Sequence, residues 1–364
     1  MKNGKMTKIF TLFLCILCII SLGGCSNKQE TVKKEETVKK EETRIIVDQM
    51  GREVEVPKEI KRIVTLPIPL PSIIYAVDGS GDKIVGMHPK SMSAVEDSTL
   101  NVLAPELKAA STEFVEGGFT VNTEELLKLN PDVVFQWTHQ EKEIKKMENA
   151  GLKVIGVKYG TQDDLETWIN MLGELFEKED RAKEIIDYHK KTTESIVSKL
   201  NGIEENKKPK VFYLANEKLG TAGKDTFNNY WIETTGAINV ADSISGWGEI
   251  VSMEQVMAWN PQIIYIGNFC SLQPEDLLEN KVKGQDWANI DAVKNGRVYK
   301  VPIGGYRWDP PNVETPLMLK WLAKIHHPDI FSDYEMSDEI KAFYKELHNY
   351  DISDDVVNKI LKVK

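Results

Sequence analysis

Apolar and polar positions along the chain alternate between two regimes. Short β-branched runs at 62–66, 83–87, 133–137 and 153–157 read as buried strands, and helical spacing fills intervening stretches such as 71–77 and 141–150. A second set of such runs follows at 210–214, 263–267 and 297–301. Strands and helices taking turns predict parallel sheets covered on both faces, hence an α/β protein with two Rossmann-like lobes. Between the sets lies a helical stretch opened by Thr161 with Asp164 three residues on, striped by Leu165, Trp168, Ile169, Leu172 and Phe176. After a break near 177–180, a second helix over about 181–200 places Ala182, Ile185, Ile186, His189, Ile196 and Leu200 on one side. At 1.5 Å per residue such a helix spans roughly 30 Å, enough to join two lobes as a stiff brace.

The first residues follow another pattern. Lys2, Lys5 and Lys8 precede an apolar stretch from Ile9 to Leu22, and Gly23-Gly24-Cys25 follows. Those 14 apolar residues fall short of the roughly 20 that span a bilayer, so the segment reads as an export signal cleaved before a lipidation cysteine, Cys25. Cys15 and Cys18 would leave with the signal and Cys25 would carry lipid, so Cys270 alone remains in the folded part and no internal disulfide is possible. The formal charge of −10 becomes −13 once the three lysines are removed, which excludes nucleic acid as a natural partner. The membrane is reached through the lipid alone.

Residues 26–43 hold a tandem hexad, Glu30-Thr31-Val32-Lys33-Lys34-Glu35 and Glu36-Thr37-Val38-Lys39-Lys40-Glu41, with almost nothing to bury. This predicts a solvated tether. The expected division is a lipoprotein signal peptide at 1–24, the lipidated cysteine and charged tether at 25–43, and an N-terminal α/β lobe at 44–160. Connecting helices, including the bridging helix, occupy 161–204, and a C-terminal α/β lobe with closing helices occupies 205–364.

A segment is written twice. Val121-Asn122-Thr123-Glu124-Glu125-Leu126-Leu127-Lys128-Leu129-Asn130-Pro131-Asp132-Val133-Val134 aligns without a gap on Val251-Ser252-Met253-Glu254-Gln255-Val256-Met257-Ala258-Trp259-Asn260-Pro261-Gln262-Ile263-Ile264, at an offset of 130. In each copy a capping residue (Asn122, Ser252) has a Glu or Gln three positions on, predicting a capping box, and Asn-Pro ends the helix before a strand. Glu124 and Glu254 are left over in the first turn, facing solvent. An acid there complements the helix dipole by about 0.3 to 1 kcal/mol. Two equivalent acids, one per lobe, also suit basic residues on a two-fold partner.

These segments, with Lys61-Arg62-Ile63-Val64, Ile84-Val85-Gly86, the bridging helix and the closing run from Pro316-Leu317 through Trp321-Leu322-Ala323 to His327-Pro328, resemble substrate-binding proteins of iron-siderophore, haem and vitamin B12 ABC importers, the class III periplasmic binding proteins. The likeness covers roughly 44–331. It implies a monomer on the outer face of the cell membrane, a ligand held between lobes that move little, and docking of Glu124 and Glu254 onto arginines of a permease dimer. Family cargoes include ferric siderophores, haem, corrinoids and oxyanions such as molybdate. An iron chelate is the expected ligand, with a corrinoid, haem or molybdate/tungstate as the alternative.

Ligands of parallel α/β lobes gather at the carboxyl ends of strands, which singles out the loops at 67–71, 88–89, 116–119, 137–140, 216–217, 245–248, 268–269 and 304–309. Tyr306, Arg307 and Trp308 are the richest candidates: two glycines precede them, and the guanidinium offers a fork of donors to an anion. Trp308 reads equally well as packing inside a structural turn. Glu116, Gly117, Gly118, His88, Trp137, His139 and Trp247 complete the expected ligand site. The spacing of His88 and His139 matches no preformed metal centre, and no resident cofactor is implied. An exported enzyme is the rival from another class, yet Gly-x-Ser-x-Gly, a phosphate-binding loop and grouped His and Asp are all missing. A ligand sensor is the other rival.

Overall fold

The computed structural model describes residues 42–362. The signal segment, Cys25 and nearly all of the tether lie outside the described residues.

Two four-stranded parallel sheets carry the fold. In the first, the order across the sheet is Ile84–Met87, Ile63–Thr65, Val133–Trp137, Val154–Val157. In the second it is Ile238–Asn239, Lys210–Leu214, Ile263–Ile266, Val298–Lys300. Counted along the chain, both orders read second, first, third, fourth. The duplication seen in one sequence segment therefore extends to the topology of both lobes. In each sheet the chain turns back between the first and third strands, the crevice where doubly wound sheets hold ligands.

Strand alternation sorts side chains into three cores. Ile63, Val133, Phe135, Trp137, Ile155 and Val157 point to one face and join Val211, Tyr213, Ile263 and Tyr265 of the second lobe in a single large core. Their neighbours Val64, Val134 and Val154 form a core private to the first lobe, and Phe212, Leu214, Ile264 and Ile266 form one private to the second. The shared core is filled by Leu165, Trp168, Ile169 and Leu172 of helix Gln162–Phe176, by Ala182, Ile185 and Ile186 of the bridging helix Glu179–Lys199, and by Leu317, Met318 and Leu322 of Thr315–His326. Lobes that share a close-packed core resist large relative motion.

Thr161 and Asp164 form the expected capping box, each side chain taking the other's amide proton. The break falls at Glu177, which adopts φ 56. The bridging helix begins at Glu179, two residues earlier than its apolar stripe implies. The sequence pattern missed three short antiparallel pairs, Thr43–Val47 with Glu53–Pro57, Gly220–Ala222 with Trp247–Ile250, and Val115–Gly117 with Thr120–Val121. The first alternates exposed with partly covered positions and the second is three or four residues long, too little periodicity to register.

Candidate functional site

The repeated segments form helices Thr123–Lys128 and Met253–Trp259. Asn122 Oδ1 accepts the amides of Glu124 and Glu125 at 3.1 and 3.2 Å, and Ser252 Oγ accepts that of Gln255 at 3.2 Å. The reciprocal half of the expected box forms in neither copy. The Asn122 amide donates to Phe114 O at 2.8 Å, and the Glu125 carboxylate pairs with Lys128 at 2.7 Å. Asn130 and Asn260, ahead of their prolines, sit in the left-handed region at φ 42 and 45 rather than the extended region a following proline favours. Asparagine tolerates that conformation better than other side chains with a Cβ. Glu124 and Glu254 are both exposed, and neither enters an ion pair among the described residues. Hydrogen bonds from its own amide and from Ser252 hold the Glu254 carboxyl below the usual range.

The strand-end loops carry two groups of aromatic side chains. In the first lobe, Trp137 ends its strand and meets Phe119 edge-on at 6.0 Å, stacks on the exposed His139 at 6.1 Å, and lies 5.5 Å from Tyr159 and 5.8 Å from Trp168. His88 is buried beside Phe119, with Nε2 2.7 Å from Gly118 O and Nδ1 accepting the Lys90 amide at 3.0 Å. Both ring nitrogens are occupied by the protein, and burial lowers the pKa of the ring. Glu116 and Gly117 end the short strand Val115–Gly117, which pairs with Thr120–Val121, and Gly118 makes the turn between them at φ 51; all three are exposed. In the second lobe, Trp247 is 51% exposed and meets Phe269 edge-on at 6.0 Å. The Arg307 guanidinium lies 5.2 Å from the Phe269 ring and 5.8 Å from that of Tyr306. The groups approach through Tyr159, whose hydroxyl donates to Pro311 O at 3.3 Å.

Buried carboxylates shape the Arg307 loop. Glu314 accepts Gly305 N–H at 2.9 Å, Tyr306 N–H at 3.4 Å and Trp308 Nε1–H at 2.9 Å, and a further bond from the Tyr344 hydroxyl. Burial pushes its carboxyl above the usual carboxylate range despite those four donors. Tyr344 also touches Thr99 Oγ1 at 2.7 Å, and the Thr99 amide donates to Gly304 O at 2.8 Å, so the loop is tied to the first lobe. Asp309 accepts the Tyr213 hydroxyl at 2.8 Å and both the amide and side-chain Nδ2 of Asn268 at 2.9 Å. Lys300 Nζ donates to Gly267 O at 3.0 Å, Leu272 O at 3.1 Å and Cys270 O, pinning the loop beside Phe269.

Of the residues proposed for ligand contact, Trp308 takes a different place. It is fully buried and its one donor is spent on Glu314, so it supports the loop from beneath. Tyr306 is 4% exposed and Arg307 partly exposed. Sequence reasoning passed over Glu314, a single acid between Val313 and Thr315, and Tyr159, just beyond a strand. Neither lies in a motif, and their partners are distant in sequence. Cys270 is a buried free thiol whose pKa burial raises. Among the described residues no three His, Cys, Asp or Glu side chains converge to hold a metal ion, and no helix is long and apolar enough to cross a membrane.

Four buried side-chain atoms near this site have no hydrogen-bond partner: Thr65 Oγ1, Trp137 Nε1, Asn268 Oδ1 and Arg307 Nε. Thr65 and Trp137 end the first and third strands of the first sheet, and Asn268 stands two residues beyond the third strand of the second. Atoms of this kind pair with an ordered water, an ion or a ligand, or else store strain.

Two Rossmann-like lobes of one topology, joined by a long helix and facing each other through strand-end loops, have the architecture of a solute-binding protein. The profile of the periplasmic binding protein family matches residues 72–303, and the chain belongs to that family. It is 28% identical over 328 residues to the molybdate-binding protein MolA of Haemophilus influenzae, covering 84% of this chain and 91% of that one. It is 25% identical to the iron(3+)-hydroxamate-binding protein FhuD of Bacillus subtilis, covering 85% and 95%. Among solved structures, a periplasmic solute-binding protein of Veillonella parvula superposes with a TM-score of 0.82 at 43% identity, covering 88% and 98%. Molybdate-bound MolA superposes at 0.74 and 27% identity, covering 85% and 99%. The chain is a solute-binding protein of the ABC-importer type, and its relatives serve transport rather than catalysis.

Proposed function

We propose that this protein captures a small oxygen-rich anion, molybdate or tungstate in the first place, between its lobes and delivers it to the two permease subunits of an ABC importer. The observation that carries the ligand class is the set of buried donors, Trp137 Nε1, Arg307 Nε and Thr65 Oγ1, that find no acceptor in the protein although they stand near strand ends of both lobes. A buried donor left unpaired costs about 1 to 3 kcal/mol, which an anion accepting it would recover. Molybdate binding by a relative of nearly the same length supports the choice.

An iron chelate is the second reading, favoured by the exposed Trp247 and Phe269 beside Arg307, an aromatic wall larger than a tetrahedral anion needs. Isothermal titration of the lipid-free protein with molybdate, tungstate, sulfate, ferric citrate and a ferric hydroxamate decides. Molybdate or tungstate heat supports the first reading, ferric-chelate heat alone replaces it with the second, and silence from all five overturns both.

In the same reading Cys25 is acylated and holds a monomer at the outer face of the membrane. Glu124 and Glu254 meet basic residues on the two permease subunits. Reversing both charges should abolish uptake while leaving ligand affinity unchanged; a fall in affinity would remove the docking role.

A further inference from the structure

The duplicated helices share more than an acid. Leu126 and its equivalent Val256 are fully buried and anchor each helix to its lobe. The next residue in each copy, Leu127 and its equivalent Met257, is apolar yet 43% and 42% exposed. Each lies three residues after its acid, on the same helix face as Glu124 or Glu254. Lone exposed apolar side chains are ordinary on a protein surface. Here the same exposure recurs at equivalent positions of two lobes whose sequences otherwise diverge, at Thr123 and Met253 or Lys128 and Ala258 for example.

We infer that Leu127 and Met257 are the apolar anchors of the permease-docking surface, each seated in a greasy recess beside the basic residue that meets the neighbouring glutamate. The inference rests on the docking role proposed for the two acids. An ion pair in open water is weak; an apolar side chain that excludes water beside it strengthens the pair and supplies the buried centre a stable interface requires. A partner fitting this surface must offer the same basic and apolar pairing twice, as two equivalent permease subunits do.

The test measures ATPase stimulation of the cognate permease–ATPase complex in nanodiscs against concentration of the full-length protein. Three variants are compared: the double Leu127→Ser/Met257→Ser, the double Glu124→Arg/Glu254→Arg, and Val197→Ser, which removes a 50% exposed apolar residue from the bridging helix. The serine pair should raise the half-maximal concentration about tenfold or more, with Val197→Ser unchanged and molybdate affinity and melting temperature held. If the arginine pair abolishes stimulation and the serine pair does not shift it, the anchor role falls and the docking role of the acids stands. If neither pair has an effect, the docking reading itself falls and takes the anchors with it. An equal shift from Val197→Ser would also overturn the inference, by showing that loss of any exposed apolar residue suffices.

Discussion

The indole Nε1 of Trp308 donates to the carboxylate of Glu314 across 2.9 Å in a site where both side chains are buried. That bond, with two amides and the Tyr344 hydroxyl on the same carboxylate, sets the course of the backbone on either side of Arg307. A buried charge with four donors is a high-stakes arrangement, because removing the acceptor strands every donor at once. Glu314→Gln keeps the shape but turns an amide toward donors. It should lower the unfolding free energy by about 2 to 3 kcal/mol in urea titration and weaken cargo binding through displacement of Arg307. Unchanged stability would show that the loop is held by other contacts.

Gly304 is required by the same carboxylate. A Cβ at that position would stand 2.2 Å from Glu314 Oε2, while its carbonyl is committed to Thr99 of the other lobe. Gly304→Ala should therefore cost about 1 to 3 kcal/mol, the range of overpacked sites. Gly305→Ala, whose Cβ would come no closer than 3.5 Å to Glu314, should cost far less. Calorimetric melting of the two variants compares them directly; equal losses would mean that the Glu314 contact is not what fixes the glycine.

Arg307 rests against Phe269 and Tyr306 with its Nε proton unused. On the proposed anion reading, Arg307→Ala should reduce affinity for molybdate about tenfold or more, by loss of a charge-assisted bond. Arg307→Lys should recover little of it, since lysine keeps the charge but lacks the fork. Titration calorimetry with molybdate separates the two, and full recovery by lysine would argue for plain charge attraction.

The lobes, their parallel strands and the brace between them are legible in the chain because each rests on local periodicity. The run at 133–137 is the observed strand residue for residue, and the cap at Thr161 forms as written. The duplication is legible for the same reason: Asn122 and Ser252 cap, Asn130 and Asn260 terminate, and Leu126 and Val256 bury. The candidate ligand site is less legible. Arg307 and Trp137 announce themselves by type and position, whereas Glu314 gains meaning only from Tyr344, Trp308 and Thr99 gathered around it in space. The inward face of Trp308 was equally hidden, since a loop tryptophan reads the same whether it greets a ligand or fills the floor beneath it.

Acid should destabilise the protein through three histidines, His189 and His326 buried and His348 partly buried. His189 of the bridging helix has Nε2 2.8 Å from Val313 O and Nδ1 3.1 Å from Gln162 Nε2. Burial lowers its pKa to about 4, and likewise lowers His348 to about 4 and His326 to about 3. Each ring is neutral when folded, so between these values and the unfolded value of about 6.5 the unfolded chain binds more protons. Stability from these groups is therefore complete above pH 6.5 and is lost as pH falls toward 4, by up to ~1.4 kcal/mol per pH unit for each histidine. Unfolding free energies in urea from pH 7 to 4.5 measure the slope, and His189→Gln, which can keep a donor near Val313 O, should make it shallower. An unaltered slope in that variant would show that His189 already takes up its proton in the native state.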